Sequence, residues 1–132
     1  MLGHGSPDGL FSVGQFETDN SLIVDSSLIS LLAEREENIY IWCHANKFVE
    51  RYNLKGFYTG MFISEFLEVV YCQLPLVEDD IIDESNNAFS SIVSKYINES
   101  KSVSYKKVLE EYQVIANRNI IAAYNLKLLK FN

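Results

Sequence analysis

His4 stands between two glycines in the run Gly3-His4-Gly5-Ser6-Pro7-Asp8-Gly9, and Cys43 ends the run Ile39-Tyr40-Ile41-Trp42-Cys43. An imidazole titrates near neutral pH and can serve as a general base. A thiol becomes a strong nucleophile when a base takes its proton. The two together make a dyad able to attack a carbonyl. The glycines let the backbone turn sharply and a ligand approach closely, and the Gly5 N–H is a candidate oxyanion donor. Each residue also has a plainer reading. A histidine in a glycine turn is often only a turn residue, and a strand-end cysteine is often only a small apolar one. His44 is a second base or, more simply, a loop neighbour of the site. Ser6, Asp8 and Glu65 are candidate lining residues. Cys72 falls inside an expected helix and reads as core.

These residues need elements to hold them. The run 39–43 is apolar and β-favouring, as in a strand covered on both faces of a parallel sheet. In α/β sheets, reactive groups sit at the carboxyl ends of such strands. The pattern predicts short strands at 10–13 and 21–24 after the Pro7-Asp8-Gly9 turn, with a polar loop at 14–20. A helix capped by Asp25 or Ser26 runs to Glu34. A helix follows Cys43 over 45–53, and its N-terminus would favour a thiolate. A strand at 55–59 comes next, then a helix over 61–74 that stops at Pro75. Ile81, Ser85, Ala88, Phe89, Ile92 and Tyr96 fall at helical spacing. Tyr105, Val108, Leu109 and Tyr112 mark a further helix. The end, 120–131, is ambiguous, with leucines at helix-compatible spacing among Asn117, Asn119 and Asn125. The C-terminal half is therefore expected to be helical. All six glycines lie in the first 60 residues, so the loop chemistry does too.

A chain of 132 residues favours one domain, 1–132. The formal charge of −7 argues against nucleic acid and against an anionic membrane. There is no apolar run of membrane-spanning length and no signal-peptide pattern. Two cysteines make no disulfide framework, and a cytoplasmic location follows as the expectation. His4, Cys43 and His44 match no zinc spacing. The acidic run Glu78, Asp79, Asp80, Asp83 and Glu84 lacks the glycine loop of a calcium site. No metal and no cofactor are expected. Met1-Leu2-Gly3 is too short for a full strand. Either that strand is very short, or the domain lacks its first strands; the second is favoured.

The two runs resemble the caspase-like cysteine peptidases, the group of caspases, legumain, gingipains and separase. That group has an apolar strand ending in His-Gly and a second ending in the nucleophilic cysteine. Here these are Leu2-Gly3-His4-Gly5 and Ile39-Tyr40-Ile41-Trp42-Cys43, and the two key residues are 39 apart. The likeness covers roughly the first half of the chain. It implies a three-layer α-β-α fold with a mostly parallel sheet. It implies His4 as base, Cys43 as nucleophile, and the Gly5 and Cys43 N–H groups as oxyanion hole. The substrate would be a peptide or protein. The first 34 residues hold no arginine, so a caspase-type pocket for an acidic side chain is not implied. The strand, helix and strand that precede the histidine in the family are absent here.

Two other readings compete. One is a non-catalytic α/β interaction module, or a pseudoenzyme of the same fold, with the acidic helical half as partner surface. The other is a flavodoxin-like phosphate-binding domain, which is weak because no phosphate loop of known spacing is present. If the peptidase reading is right, the strands ending at His4, Cys43 and Thr59 are parallel neighbours. An uncovered sheet edge beside His4 would then invite self-association.

Overall fold

A computed structural model describes residues 3–12 and 21–132. The expected strand before His4, on Met1 and Leu2, therefore lies outside the described residues. So do Val13 and the expected loop 14–20. The contacts divide the chain into two compact units, 3–62 with Leu129–Asn132, and Ile63–Leu128. Among the described residues the protein is mixed α/β, with six α-helices and two three-stranded sheets. Among the described residues no helix is long and apolar enough to cross a membrane.

The first unit begins with an antiparallel hairpin, β1 (Gly5–Ser6) and β2 (Gly9–Phe11), turned by Pro7-Asp8. β2 pairs antiparallel with β3 (Leu22–Val24). Asp25 then caps a short 3₁₀ turn, its carboxylate accepting from the Ser27 N–H and hydroxyl at 2.8 and 2.6 Å. That turn runs into α1 (Ile29–Ala33). β4 (Ile39–Tyr40), α2 (Ala45–Arg51) and β5 (Phe57–Tyr58) follow, and β4 and β5 pair in parallel. The strand β6 (Lys130–Phe131) joins β5 antiparallel. Among the described residues parallel pairing is thus confined to β4–β5, and the other three pairings are antiparallel. The parallel pair is the one joined through a helix, as chain connectivity requires.

The strand expected over 39–43 stops earlier than its apolar run. Gly3 N–H takes the Ile41 carbonyl at 3.0 Å, and the Trp42 carbonyl accepts from Ala45 N–H at 3.1 Å. The backbone leaves the sheet at that point, so Cys43 lies in a turn rather than in the strand. Gly56 occurs where a side chain is sterically barred. Its φ is +136°, and a Cβ would lie 2.2 Å from the Asn38 carbonyl oxygen. One core joins both sheets to the helices of this unit: Leu10, Val24, Leu32, Tyr40, Trp42, Phe48, Val49, Leu54 and Tyr58.

The second unit is helical: α3 (Phe66–Tyr71), α4 (Asp79–Tyr96), α5 (Lys101–Ala116) and α6 (Ile120–Leu126). The helix expected over 61–74 shrinks to α3 because polar side chains claim the backbone before it. Asn125 accepts from Ile63 N–H at 2.7 Å and donates to Ile63 C=O at 2.8 Å. Glu68 accepts from Ser64 N–H, Ser64 hydroxyl and Glu65 N–H at 2.6, 3.0 and 3.2 Å. The asparagines that blurred the C-terminal reading have defined work. Asn119 caps α6 by accepting from Ala122 N–H, and it donates to the Ile81 carbonyl at 2.8 Å. Asn125 is fully buried, and the bonds it makes to Ile63 are its reason for being there.

Replacing Asn125 by Ala leaves a buried N–H and a buried C=O at Ile63 without these partners. The expected loss is about 2–3 kcal/mol, read as a lowered urea midpoint with an unchanged denaturant slope.

Candidate functional site

The first arm of the site is the hairpin that begins at His4. Phe11 N–H donates to the His4 carbonyl at 2.9 Å, and Gly5 faces Leu10 across the pair. This register makes Gly5 and Leu10 a non-hydrogen-bonded pair, so the Gly5 N–H points away from β2. The His4 side chain is exposed. Ser6 Oγ accepts from Asp8 N–H at 3.1 Å and so holds the turn. Asp8 forms an ion pair with Arg51 at 2.8 Å.

The second arm is the turn between β4 and α2. Cys43 is half-buried and makes no disulfide; its sulfur lies 3.9 Å from the Phe62 carbonyl, a long S–H···O contact. His44 takes a left-handed conformation at φ 65°, uncommon for a residue with a side chain. Its N–H donates to the Gly60 carbonyl at 3.2 Å. Burial first, then the nearby Lys47 charge, pushes the His44 imidazole below its usual value. Thr59 is buried and braces the turn. Its hydroxyl donates to the Trp42 carbonyl at 3.2 Å, and its own carbonyl accepts from Asn46 N–H at 2.8 Å.

Trp42 clasps the two arms. Its indole N–H donates to the Ser6 carbonyl at 3.2 Å. Gly5 lies so close to the ring that a Cβ would come within 2.3 Å of it. The ring is nearly fully buried and meets Tyr40 and Phe48 edge-on, each at 5.7 Å. The Gly3–Ile41 backbone bond and the Asp8–Arg51 ion pair add two further ties. The structure therefore brings the segment around His4 alongside the segment that ends in Cys43.

Other expectations fare differently. The first-turn amides of α2 are engaged with carbonyls: Ala45 with Trp42, Asn46 with Thr59, Lys47 with His44. The helix is also only seven residues long. Its N-terminus is therefore not a set of open donors for a thiolate. Glu65 belongs to the second unit, where it starts α3. Cys72 ends α3 and accepts from the Tyr124 hydroxyl at 3.4 Å. Among the described residues no group of three or more His, Cys, Asp or Glu could hold a metal ion. Sequence reasoning missed Trp42, Thr59 and Arg51 as organisers of the site. The available signals were the lone tryptophan beside the cysteine and the missing side chain at Gly5. Comparison with protein-family models, curated proteins and solved structures gives no match.

Two outcomes follow from this geometry. Gly5→Ala forces the hairpin off the Trp42 ring and is expected to cost about 1–3 kcal/mol, with altered tryptophan fluorescence. His44 binds protons less readily when folded than when unfolded. Its contribution to stability is therefore present above about pH 6.5 and lost as pH falls below that value. His44→Asn keeps a residue tolerant of the left-handed conformation. In urea titrations between pH 7.5 and 5, the variant should lose less stability than the wild type.

Proposed function

We propose that the chain is a thiol hydrolase of caspase-like type, acting on a peptide bond in a peptide or protein. The observation that carries this reading is the Trp42 clasp. The residue before Cys43 donates its indole N–H to the carbonyl two residues after His4. It thereby ties the glycine-flanked histidine to the cysteine turn. The parallel β4–β5 pair also accords with the reading. The three-layer arrangement of that group belongs to this proposal; its mostly parallel sheet does not, since three of the four described pairings are antiparallel.

In this mechanism His4 takes the proton from Cys43, and the thiolate attacks the substrate carbonyl. The oxyanion is held by the N–H groups of Gly5 and Cys43. The Gly5 N–H is directed away from its hairpin partner, as that role requires. His4 then gives its proton to the departing amine. A water, activated by the same imidazole, releases the acid product and restores the thiol. Ser6 and Asp8, expected as lining residues, hold the turn and the Arg51 pair, and His44 follows Cys43 in the same turn. The competing reading is a non-catalytic module of the same fold, supported by the carbonyl-bound first-turn amides of α2.

Limiting iodoacetamide, applied to the folded protein across pH 5–9 and read by peptide mass spectrometry, separates the two. With a dyad, Cys43 labels ahead of Cys72 and keeps its reactivity below pH 7. His4→Ala then moves the Cys43 profile toward that of an ordinary thiol, rising near about pH 8.5. Equal labelling of both cysteines, or an unchanged Cys43 profile in His4→Ala, overturns the hydrolase.

A further inference from the structure

The outer side of α3 gathers several exposed large apolar side chains. Leu67 and Tyr71 are 72% and 71% exposed, Val70 and Phe66 are 51% and 41%, and Leu76 in the segment after α3 is 71% exposed. Positions 66, 67, 70 and 71 are spaced i, i+1, i+4, i+5, so they share one side of the helix. The inner side is anchored. Val69 packs with Ile63, Ile82 and Ile121 in the core of this unit. Glu68 fixes the first turn through Ser64 and Glu65. A six-residue helix is not stable alone, and here packing and polar bonds hold it in place. A group of large apolar side chains on a fixed helix marks an interaction site more often than a plain surface.

The charge of the chain segment that contains α3 selects the occupant of this surface. Residues 56–94 contain seven carboxylates and no lysine or arginine. Glu84 is paired with Arg118, and Glu68 is used within the α3 cap. Glu65, Glu78, Asp79, Asp80 and Asp83 are exposed and form no ion pair among the described residues. A second copy of the chain would bring the same carboxylates against them, and like charges oppose docking. An anionic membrane is disfavoured for the same reason.

We propose that the outer side of α3 docks a cationic amphipathic helix of a partner protein. Apolar side chains of that helix cover Leu67, Val70 and Tyr71, and its lysines or arginines meet the carboxylates at Glu65 and over 78–80. This is the helix-in-groove mode of recognition with charge supplying the orientation. It does not depend on the hydrolase reading.

The test uses the whole chain and a fluorescent amphipathic Leu/Lys helical peptide, with a Leu/Glu peptide of the same pattern as control. Binding is read by anisotropy at low and at physiological salt. The Leu/Lys peptide should bind, weaken several-fold with salt, and lose tenfold or more in affinity for Leu67→Ser/Tyr71→Ser. Both positions are largely exposed, so the variant should keep its fold, which circular dichroism checks. Val114→Ser on α5, 63% exposed in the wild type, should leave binding unchanged. Absence of binding overturns the proposal. Equal binding of the Leu/Glu peptide, or an undiminished affinity in the double variant, does so too, because the contact would then be non-specific. Sedimentation that detects a dimer abolished by the double variant overturns it in favour of a second copy.

Discussion

The hydrogen bond from the Trp42 indole to the Ser6 carbonyl is where the first unit is held together. A buried indole N–H without a partner is costly, so the ring must find an acceptor. The acceptor it finds lies on the hairpin rather than on its own strand. That fixes the distance between two chain segments separated by more than thirty residues. Gly5 has no side chain because the ring occupies the place. Phe48 and Tyr40 meet the ring from the helix and the strand, so one side chain ties β4, α2 and the hairpin. Cys43 sits one residue beyond this anchor, and His4 one residue before Gly5. Any chemistry they perform inherits its geometry from the clasp.

Much of the first unit could be read from residue types. The Pro7-Asp8-Gly9 turn, the strands near 10–13 and 21–24 and Asp25 as a cap are local signals that form close to expectation, whereas β1 falls in the expected glycine loop and Asp25 caps a 3₁₀ turn ahead of α1. The parallel pairing of 39–40 with 57–58 follows from apolar runs separated by a helix. The length of the strand before Cys43 was not legible. Apolar content says only that 39–43 is buried, whereas its end is set by the Ile41 and Trp42 carbonyls turning to partners elsewhere in the chain. The candidate dyad residues were visible as types. The clasp that relates them was not, because it joins a side chain to a backbone carbonyl and leaves no pattern in composition.

The helical unit teaches the reverse lesson about polar residues. Asn119 and Asn125 look like helix breakers, yet both are buried and bonded to distant backbone. Ser85 and Tyr112 likewise share a buried hydroxyl bond at 2.7 Å between α4 and α5. Helical periodicity locates α4 and α5 well. It cannot say that an asparagine amide holds the Ile63 backbone and thereby delays the start of α3. Nor does periodicity say which apolar residues of α3 stay outside, as Phe66 and Val70 do.

The sheet of the first unit is completed from the far end of the chain. β5 receives β6 as a neighbour, and the Gly56 and Asn132 backbones exchange two hydrogen bonds, at 3.2 and 3.1 Å. Between these partners lies the whole helical unit, which closes largely through contacts local in sequence. Local contacts form quickly, and pairings across long loops form slowly because loop closure must come first. During synthesis the helices can therefore settle while β5 still waits with one side open. An unfinished strand edge is what chaperones cover and what neighbouring nascent chains invade. The order of assembly, helices before sheet closure, thus gives the chain an interval of vulnerability on the ribosome that its finished structure does not reveal.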